Sequence, residues 1–235
     1  MCALLARCST IRTAAIALDQ MRGAFARAQA EIEALFAGGR SRDADAKIAR
    51  LCELIPVGAH LARAWKVVAV GEPNVGKSSL VNAIAGFARS IVSPIPGTTR
   101  DVVSTPIAIA GWPIELIDTA GVRDGRDALE CAGIARGRIA SAEADLVLRV
   151  VDATKPDMVV AASSEVLVVN KVDLNPGIES CYTKAASDAV VSAKTNNGID
   201  RLLTALIERL IPFPPRPGEA VPVTEAQRQF LARLR

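Results

Sequence analysis

The stretch GEPNVGKSSLVNAIAG, residues 71–86, decides the fold expected of this chain of 235 residues. It begins with the pattern G-x-x-x-x-G-K-[ST], between an apolar strand-like run and a helix-like segment. Gly71 and Gly76 let the backbone curl so that its N–H groups face phosphate oxygens, and the dipole of the following helix adds positive charge. Lys77 can reach the β- and γ-phosphates, and Ser78 can place its hydroxyl on Mg²⁺. The predicted contacts of this phosphate-binding loop are Asn74, Val75, Gly76, Lys77, Ser78 and Ser79.

The segment NKVD, residues 170–173, distinguishes GTP from ATP. A carboxylate at Asp173 can accept hydrogen bonds from N1–H and the 2-amino group of guanine, whereas adenine offers no such pair of donors. Further along the chain, the segment SAK follows another apolar run, and its backbone N–H can meet guanine O6. We therefore predict that GTP is the nucleotide. The predicted base contacts are Asn170, Lys171, Asp173, Ser192, Ala193 and Lys194.

Two more segments are candidates for switches that respond to the γ-phosphate. In DTAG, Asp118 can hold Mg²⁺ through a water and the Gly121 N–H can contact the γ-phosphate; in PGTTRD, Thr99 can bind Mg²⁺ directly. Both segments should order around GTP and relax after hydrolysis. Alternatively, Thr98 and Thr99 simply begin an ordinary strand. The predicted contacts here are Pro96, Gly97, Thr98, Thr99, Asp118, Thr119, Ala120 and Gly121, with Lys77, Thr99 and Gly121 as catalytic candidates.

Residues 65–212 alternate short apolar runs with helical segments. The runs occupy residues 66–71, 114–120, 145–153, 165–173 and 188–194. Continuous apolar runs suit strands that are covered on both faces. We therefore predict an α/β P-loop domain, with a mostly parallel sheet and helices on both faces. The segment 154–164 is short, so any crossover helix there must be abbreviated.

Residues 1–64 are predicted to be helical, with a first helix from Ile11 to Leu35. Apolar residues recur every seven positions in two rows, the pattern of an a/d seam of about four heptads. The rows are Ile11, Leu18, Phe25 and Ile32, and Ala14, Met21, Ala28 and Leu35. Gly38 and Gly39 should end this helix, and a second helical stretch over residues 43–64 should break at Pro56. Either a helical hairpin buries the seam, or the seam also meets another domain or subunit.

Residues 213–235 are predicted to form a proline-rich linker and a helix that rejoins the helical region. The stretch PFPPRPGEAVPV, residues 212–223, cannot lie inside a helix, because proline lacks the backbone N–H that a helix needs. Thr224 and Gln227 then fit a capping box in front of RQFLARLR.

The composition excludes several classes of function. The net charge of +3, without blocks of like charge, does not indicate a nucleic-acid surface. No apolar run approaches the ~20 residues that span a membrane. The five cysteines are scattered, which favours reduced thiols in a cytoplasmic protein. The one histidine, His60, lies outside every motif, so a mechanism that depends on histidine is not expected.

Three segments, GEPNVGKSSLVNAIAG, SPIPGTTRDVV and IDTAGVRD, resemble the MnmE (TrmE) family of tRNA-modification GTPases; the resemblance to the Era and Der GTPases is weaker. IRTAAIALDQMRGAF and VPVTEAQRQFLARLR are similar to the helical region on either side of the GTPase domain in that family. The resemblance implies a GTP hydrolase linked to tRNA wobble-uridine modification. It also implies a homodimer formed through the GTPase domains, and a tRNA or a tRNA-modification protein as partner.

The resemblance also implies a K⁺ ion beside the phosphates, where it would do the work of an arginine finger. Its ligands would be Asn74, Ser93, Ile95 and Thr98, so the resemblance adds Ser93, Pro94 and Ile95 to the predicted contacts. Alternatively, Asn74 only braces the loop. Val122 stands where Ras-like enzymes carry a glutamine that orients water, and the resemblance gives that role to Glu130. The alternative for Glu130 is a solvated acid on a surface helix.

Two parts of the MnmE pattern have no counterpart in this sequence: the N-terminal folate-binding domain and the C-terminal Cys-x-Gly-Lys motif. We therefore expect intact nucleotide switching without the machinery for one-carbon donation. Three hypotheses remain open. The protein is an MnmE-like GTPase, a stand-alone GTPase that acts on ribosomes or RNA as Era and Der do, or a binding module that uses GTP without catalysis.

Overall fold

The computed structural model describes residues 2–91, 104–118, 143–155, 165–175, 177 and 188–234. The chain divides into two compact units, Trp65–Leu210 and the combination of Met1–Ala64 with Ile211–Arg235. The strands are β1 Trp65–Val70, β2 Ser104–Ile109, β3 Trp112–Asp118, β4 Leu146–Asp152, β5 Glu165–Asn170 and β6 Ala189–Val190. The helices are α1 Cys2–Leu5, α2 Ile11–Met21, α3 Ala24–Ala37, α4 Ser41–Glu53, α5 Ile55–Ala59, α6 Lys77–Ile91, α7 Ile199–Leu210 and α8 Glu225–Arg233.

The strands of the α/β unit form one sheet in the order β2-β3-β1-β4-β5-β6. Strands β3, β1, β4, β5 and β6 run parallel to one another. Most of their residues are buried, and valine and leucine are the commonest of the buried ones. Helix α6 packs against β1, β2 and β3, while α7 packs against β5 and β6, and the two helices contact each other. The predicted α/β class with a mostly parallel sheet is confirmed.

Strand β2 departs from the parallel pattern, and the sequence prediction missed it. It pairs antiparallel with β3, from Ser104↔Ile117 to Ile109↔Trp112. The two strands are joined by Ala110 and Gly111, which have φ angles of 48° and 80°. Two consecutive positive φ values are the mark of a tight hairpin turn whose twist matches that of its strands. The signal was present in the sequence as an Ala-Gly pair between STPIAI and WPIEL.

The predicted helix from Ile11 to Leu35 is wrong in its continuity. The chain breaks into α2 and α3 at Gly23, whose φ of 85° is left-handed. The seam is buried in α3, through Phe25, Ile32 and Leu35, but it is lost in α2, where Ile11 is 91% exposed. The face of α2 that is buried instead carries Thr13, Ala17 and Gln20. The break at Gly23 changes which side of α2 meets the core.

The segment between α7 and α8 is not helical, as predicted, and side chains of α2 and α4 hold it in place. The buried amide of Gln20 donates to the Glu219 carbonyl at 3.0 Å and accepts from the Val221 N–H at 3.0 Å. Arg50 binds the Glu219 carboxylate through two nitrogens, at 2.8 and 3.0 Å. The capping box of Thr224 and Gln227 at the start of α8 is confirmed.

Other helix boundaries differ from the prediction by small amounts. Helix α3 ends at Ala37 before Gly38, as predicted, and α4 ends at Glu53, so that Pro56 lies in the first turn of α5. Helix α5 stops at Ala59 and does not reach residue 64. Within the part of the chain that the structure describes, no helix is long and apolar enough to cross a membrane.

Candidate nucleotide-binding site

The candidate site lies where the carboxyl ends of the parallel strands meet at one edge of the sheet. Strand β1 lies between β3 and β4, and the order of strands along the chain reverses there. Ligands of open α/β sheets bind at this kind of switch point, outside the carboxyl ends of the strands. The phosphate loop follows β1 and leads into α6. The local geometry therefore matches the context that the loop motif requires.

The conformation of the phosphate loop requires its two glycines. Gly71 has a φ of 150°, and a Cβ on it would collide with the Val150 carbonyl. Gly76 has a φ of 93°, and a Cβ there would collide with the side-chain amide of Asn170. Between them, Asn74 adopts a left-handed φ of 65°, which asparagine tolerates better than most residues. The loop is thus pressed closely against β4 on one side and the end of β5 on the other.

The lysine of the motif is held over its own loop. Lys77 is 7% exposed, and its Nζ donates to the Gly71 carbonyl at 2.9 Å and to the Glu72 carbonyl at 2.8 Å. The next residues, Ser78 and Ser79, are exposed in the first turn of α6. The loop therefore offers an oriented ammonium group beside a helix N-terminus, an arrangement that favours phosphate oxygens.

Asn170, at the end of β5, joins the phosphate loop to the segment after β6. Its side chain is 1% exposed. Its Nδ2 donates to the Val75 carbonyl at 3.0 Å, and its Oδ1 accepts from the Ala193 N–H at 3.0 Å. The Ala193 N–H already donates to Asn170. The predicted contact between the SAK backbone and guanine O6 would have to form while that hydrogen bond is present.

Lys171 joins the same loop to β4. Its Nζ donates to the Asn74 carbonyl and, at 2.7 Å, to Oδ2 of Asp152. The other carboxylate oxygen of Asp152 accepts from the Thr154 N–H at 2.9 Å and from the Thr154 hydroxyl at 2.8 Å. Burial by itself would raise the pKa of Asp152, but the hydrogen bonds from Lys171 and Thr154 outweigh burial and lower that pKa below its usual value.

Asp173, the predicted reader of guanine, stands beside the buried Ser192. Its side chain is exposed in a single 3₁₀ turn, Val172–Leu174, while Ser192 is fully buried. The Ser192 hydroxyl donates to Oδ1 of Asp173 at 2.7 Å and accepts from the Thr195 N–H at 3.2 Å. The second carboxylate oxygen of Asp173 has no such bond among those described. Ser192 therefore orients the carboxylate through Oδ1, and Oδ2 is left as an acceptor.

The sequence matches known GTPases over these same residues. The family described as "50S ribosome-binding GTPase" matches residues 66–178. The protein named tRNA modification GTPase MnmE of Thermus thermophilus is 40% identical over 209 residues, which are 88% of this chain and 43% of that protein. The protein of the same name from a Synechococcus species is 44% identical over 163 residues, which are 65% of this chain and 35% of that protein.

The chain carries a GTPase domain of the MnmE type. It spans less than half the length of these two MnmE relatives. Among solved structures, the G domain of the T. maritima FeoB iron transporter is 25% identical, with a TM-score of 0.44, and the match covers 63% of this chain and 99% of that one. The strand order and the family match, and not that superposition, identify the fold of the MnmE-type domain.

The structure brings together one part of the predicted site. Asn74, Val75, Gly76, Lys77, Asn170, Lys171, Asp173, Ser192 and Ala193 form the connected set of loops described above, and Ser78, Ser79, Asp118 and Lys194 lie at the same edge of the sheet. The remaining predicted residues lie outside the described residues: Ser93, Pro94, Ile95, Pro96, Gly97, Thr98, Thr99, Thr119, Ala120, Gly121 and Glu130.

Sequence reasoning missed Asp152 and Thr154 of the MnmE-type domain. Asp152 ends β4 next to Asn170 of β5, with which it is paired in register. A carboxylate at the end of the apolar run LVLRVV, at the edge where the phosphate loop was expected, was the available signal. It was overlooked because no motif of the loop or of the base contacts includes that position.

Proposed function

We propose that this protein binds GTP together with Mg²⁺ and hydrolyses GTP to GDP and phosphate, stimulated by K⁺, in support of tRNA wobble-uridine modification. One observation carries the nucleotide part of the proposal. Side chains of the segment NKVD hold two consecutive carbonyls of the phosphate loop, those of Asn74 and Val75. The same segment carries Asp173, an exposed residue whose carboxylate accepts a hydrogen bond from Ser192. These contacts support the proposal, because they join the segment proposed for base recognition to the loop proposed for phosphate binding.

The residues present fit a magnesium ion. Ser78 offers an exposed hydroxyl in the first turn of α6, and Asp118 offers a carboxylate at the end of β3, beside the strand that leads into the loop. In the proposal these two residues hold Mg²⁺ together with Thr99, and the ion supplies neutralisation of phosphate charge when it is bound. Lys77 orients the β- and γ-phosphates, Gly121 contacts the γ-phosphate, and Glu130 orients the attacking water.

The direct test of this proposal is turnover of GTP against ATP by the purified chain. We expect GTP hydrolysis that is abolished in Lys77→Ala, because the ammonium that meets the phosphates is then missing. Lys66→Ala is the matched control, because Lys66 lies in β1 and its ammonium is 3.6 Å from Glu143, away from the loop. Glu130→Ala should lower kcat by about 100-fold or more at nearly unchanged GTP affinity. Wild-type turnover by Lys77→Ala would refute the phosphate-loop assignment.

The potassium part of the proposal concerns Asn74 with Ser93, Ile95 and Thr98. Asn74 is exposed, and its left-handed conformation is fixed at the centre of the loop. A site of oxygen ligands sized for K⁺ should accept Rb⁺ or NH₄⁺ but close poorly around the smaller Na⁺. Turnover should therefore be faster in KCl than in matched NaCl, and Asn74→Ala should remove the difference. Equal rates in both salts for the wild-type protein would refute this part.

The proposed partner is a tRNA or a tRNA-modification protein. The MnmE relatives are named for tRNA modification, which supports a tRNA or a tRNA-modification protein as partner. The matching family is described as ribosome-binding, which supports the 50S ribosomal subunit as a second candidate. Purification of the GTP-loaded protein from its own cells, followed by sequencing of the bound RNA, separates tRNA from ribosomal RNA. Turnover that rises with protein concentration would support a homodimer formed through the GTPase domains.

A further inference from the structure

The contacts of Asp152 point to a role that none of the nucleotide-binding motifs describes. The carboxylate is 7% exposed, and both of its oxygens are engaged, one by Thr154 and one by the Lys171 ammonium. Lys171 itself is 29% exposed, and it uses a second donor on the Asn74 carbonyl. Asp152 is thus the anchor of a chain of contacts that ends in the middle of the phosphate loop.

We propose that Asp152 is a positioning residue for nucleotide binding, which acts by holding the Lys171 ammonium on the Asn74 carbonyl. This inference rests on the proposed function, since it assumes that the loop binds GTP and GDP. A lysine side chain alone has many rotamers and cannot hold one carbonyl in place without losing their entropy. A buried carboxylate 2.7 Å away removes that freedom before the nucleotide arrives.

The surroundings of Asp152 indicate that it is rigid enough for this role. The Ala153 N–H donates to the Asn170 carbonyl at 2.8 Å, and the Asn175 side chain donates to the Ala153 carbonyl at 3.0 Å. These bonds fix the turn after β4 against the end of β5. The carboxylate is therefore held by its backbone and by Thr154, and Lys171 is the only long side chain among its described hydrogen-bond partners.

The inference predicts a specific pattern in a double-mutant cycle on the full chain. Asp152→Asn keeps the size and an acceptor for Thr154 but removes the charge that holds Lys171. Lys171→Met keeps the stem but removes the ammonium. Loss of a charge-assisted hydrogen bond of this kind should weaken binding of a fluorescent GDP analogue by about 10- to 100-fold in each single variant. The double variant should bind no more weakly than the worse single variant, because both changes remove the same interaction.

Two controls separate positioning from general damage. Asp188→Asn removes a similar ion-paired carboxylate, which accepts from the Leu167 N–H at 2.8 Å and from Arg209 at 2.9 Å, outside the site. Glu165→Gln removes a carboxylate of β5 that accepts from Arg149 of β4 at 2.7 Å, and it leaves Asp152, Thr154 and Lys171 unchanged. Both controls should bind the GDP analogue within about threefold of wild type. Glu165→Gln that binds as weakly as Asp152→Asn would overturn the inference, because the loss of any ion pair between these two strands would then explain the effect.

The cycle itself can also overturn the inference. Effects that multiply in the double variant would show that Asp152 and Lys171 act separately. Binding by Asp152→Asn within about twofold of wild type would show that the carboxylate does not position anything that the nucleotide needs. A wild-type protein without guanine-nucleotide affinity would refute the proposed function and this inference together, whereas wild-type affinity with an unaffected Asp152→Asn would refute the inference alone.

Discussion

Replacing Asn170 measures how strongly the end of β5 holds the phosphate loop. The side chain makes two hydrogen bonds of 3.0 Å, one to the Val75 carbonyl and one from the Ala193 N–H. In Asn170→Ala both of these backbone groups lose their partner. A buried polar group without a partner costs about 1–3 kcal/mol, so the two losses should lower the free energy of unfolding by about 2–4 kcal/mol. We expect less than twice the maximum penalty for one group, because water can enter the space that the amide leaves and bind the exposed backbone groups.

Two further variants show whether the loss comes from those bonds. Asn170→Asp can still accept from Ala193, but it turns an oxygen toward the Val75 carbonyl, so we expect a loss of about 1–3 kcal/mol. Asn175→Ala is the matched control, because its half-buried amide donates a single bond of 3.0 Å to the Ala153 carbonyl. Its expected loss is about 1 kcal/mol.

Urea unfolding followed by tryptophan fluorescence is the appropriate assay. Both tryptophans, Trp65 and Trp112, are buried in the α/β unit, so the signal follows that unit and not the helical one. Linear extrapolation gives the free energy for each variant. A loss in Asn170→Ala no larger than that in Asn175→Ala would refute the view that Asn170 supports the phosphate loop.

Three other changes have defined outcomes. Asp173→Asn should move nucleotide preference from GTP toward XTP in competition binding, because the new amide can donate to the 2-oxo group of xanthine; continued strong preference for GTP would contradict the assignment. Gly76→Ala should cost about 1–3 kcal/mol in the same urea assay, because of its positive φ and the collision with Asn170. The third change concerns pH. Hydrogen bonds from Arg50 lower the pKa of Glu219, although partial burial acts to raise it. The Arg50–Glu219 pair therefore stabilises the fold fully above the usual glutamate pKa of about 4.3, and this stabilisation is lost as pH falls through the lower pKa of the folded state. Thermal melts by circular dichroism against pH should show this loss, and Glu219→Gln should flatten that part of the profile.

The sequence could predict where the phosphate loop lies and which positions in it need glycine, because these requirements are local. A backbone that curls around phosphate needs glycine at Gly71 and Gly76, and the collisions that a Cβ would cause there show why other residues do not fit. Asp173, the proposed contact of guanine, lies in the short turn directly after the buried strand β5. Each of these requirements involves only a few neighbouring residues, so it produces a recognisable sequence motif.

The error in α2 has the opposite origin. A heptad pattern assumes a continuous helix. Gly23 interrupts the helix, and as a result a different side of α2 is buried. One residue of the face that is buried instead is Gln20, whose amide binds the backbone about 200 positions further along the chain. A buried polar residue with such a distant partner has no periodic signature. Asp152 was overlooked for a related reason, since its partner Lys171 is brought near by strand pairing.

The conformation of Lys171 explains how two adjacent side chains reach the same loop. In a regular strand, successive side chains point to opposite faces of the sheet, so Asn170 and Lys171 would be directed apart. Lys171 instead has a left-handed φ of 67°, which ends the alternation just past β5. The two side chains can then hold the neighbouring carbonyls of Val75 and Asn74. If guanine binds as proposed, a displacement of the end of β5 would shift both carbonyls, and recognition of the base would be coupled to the shape of the phosphate loop.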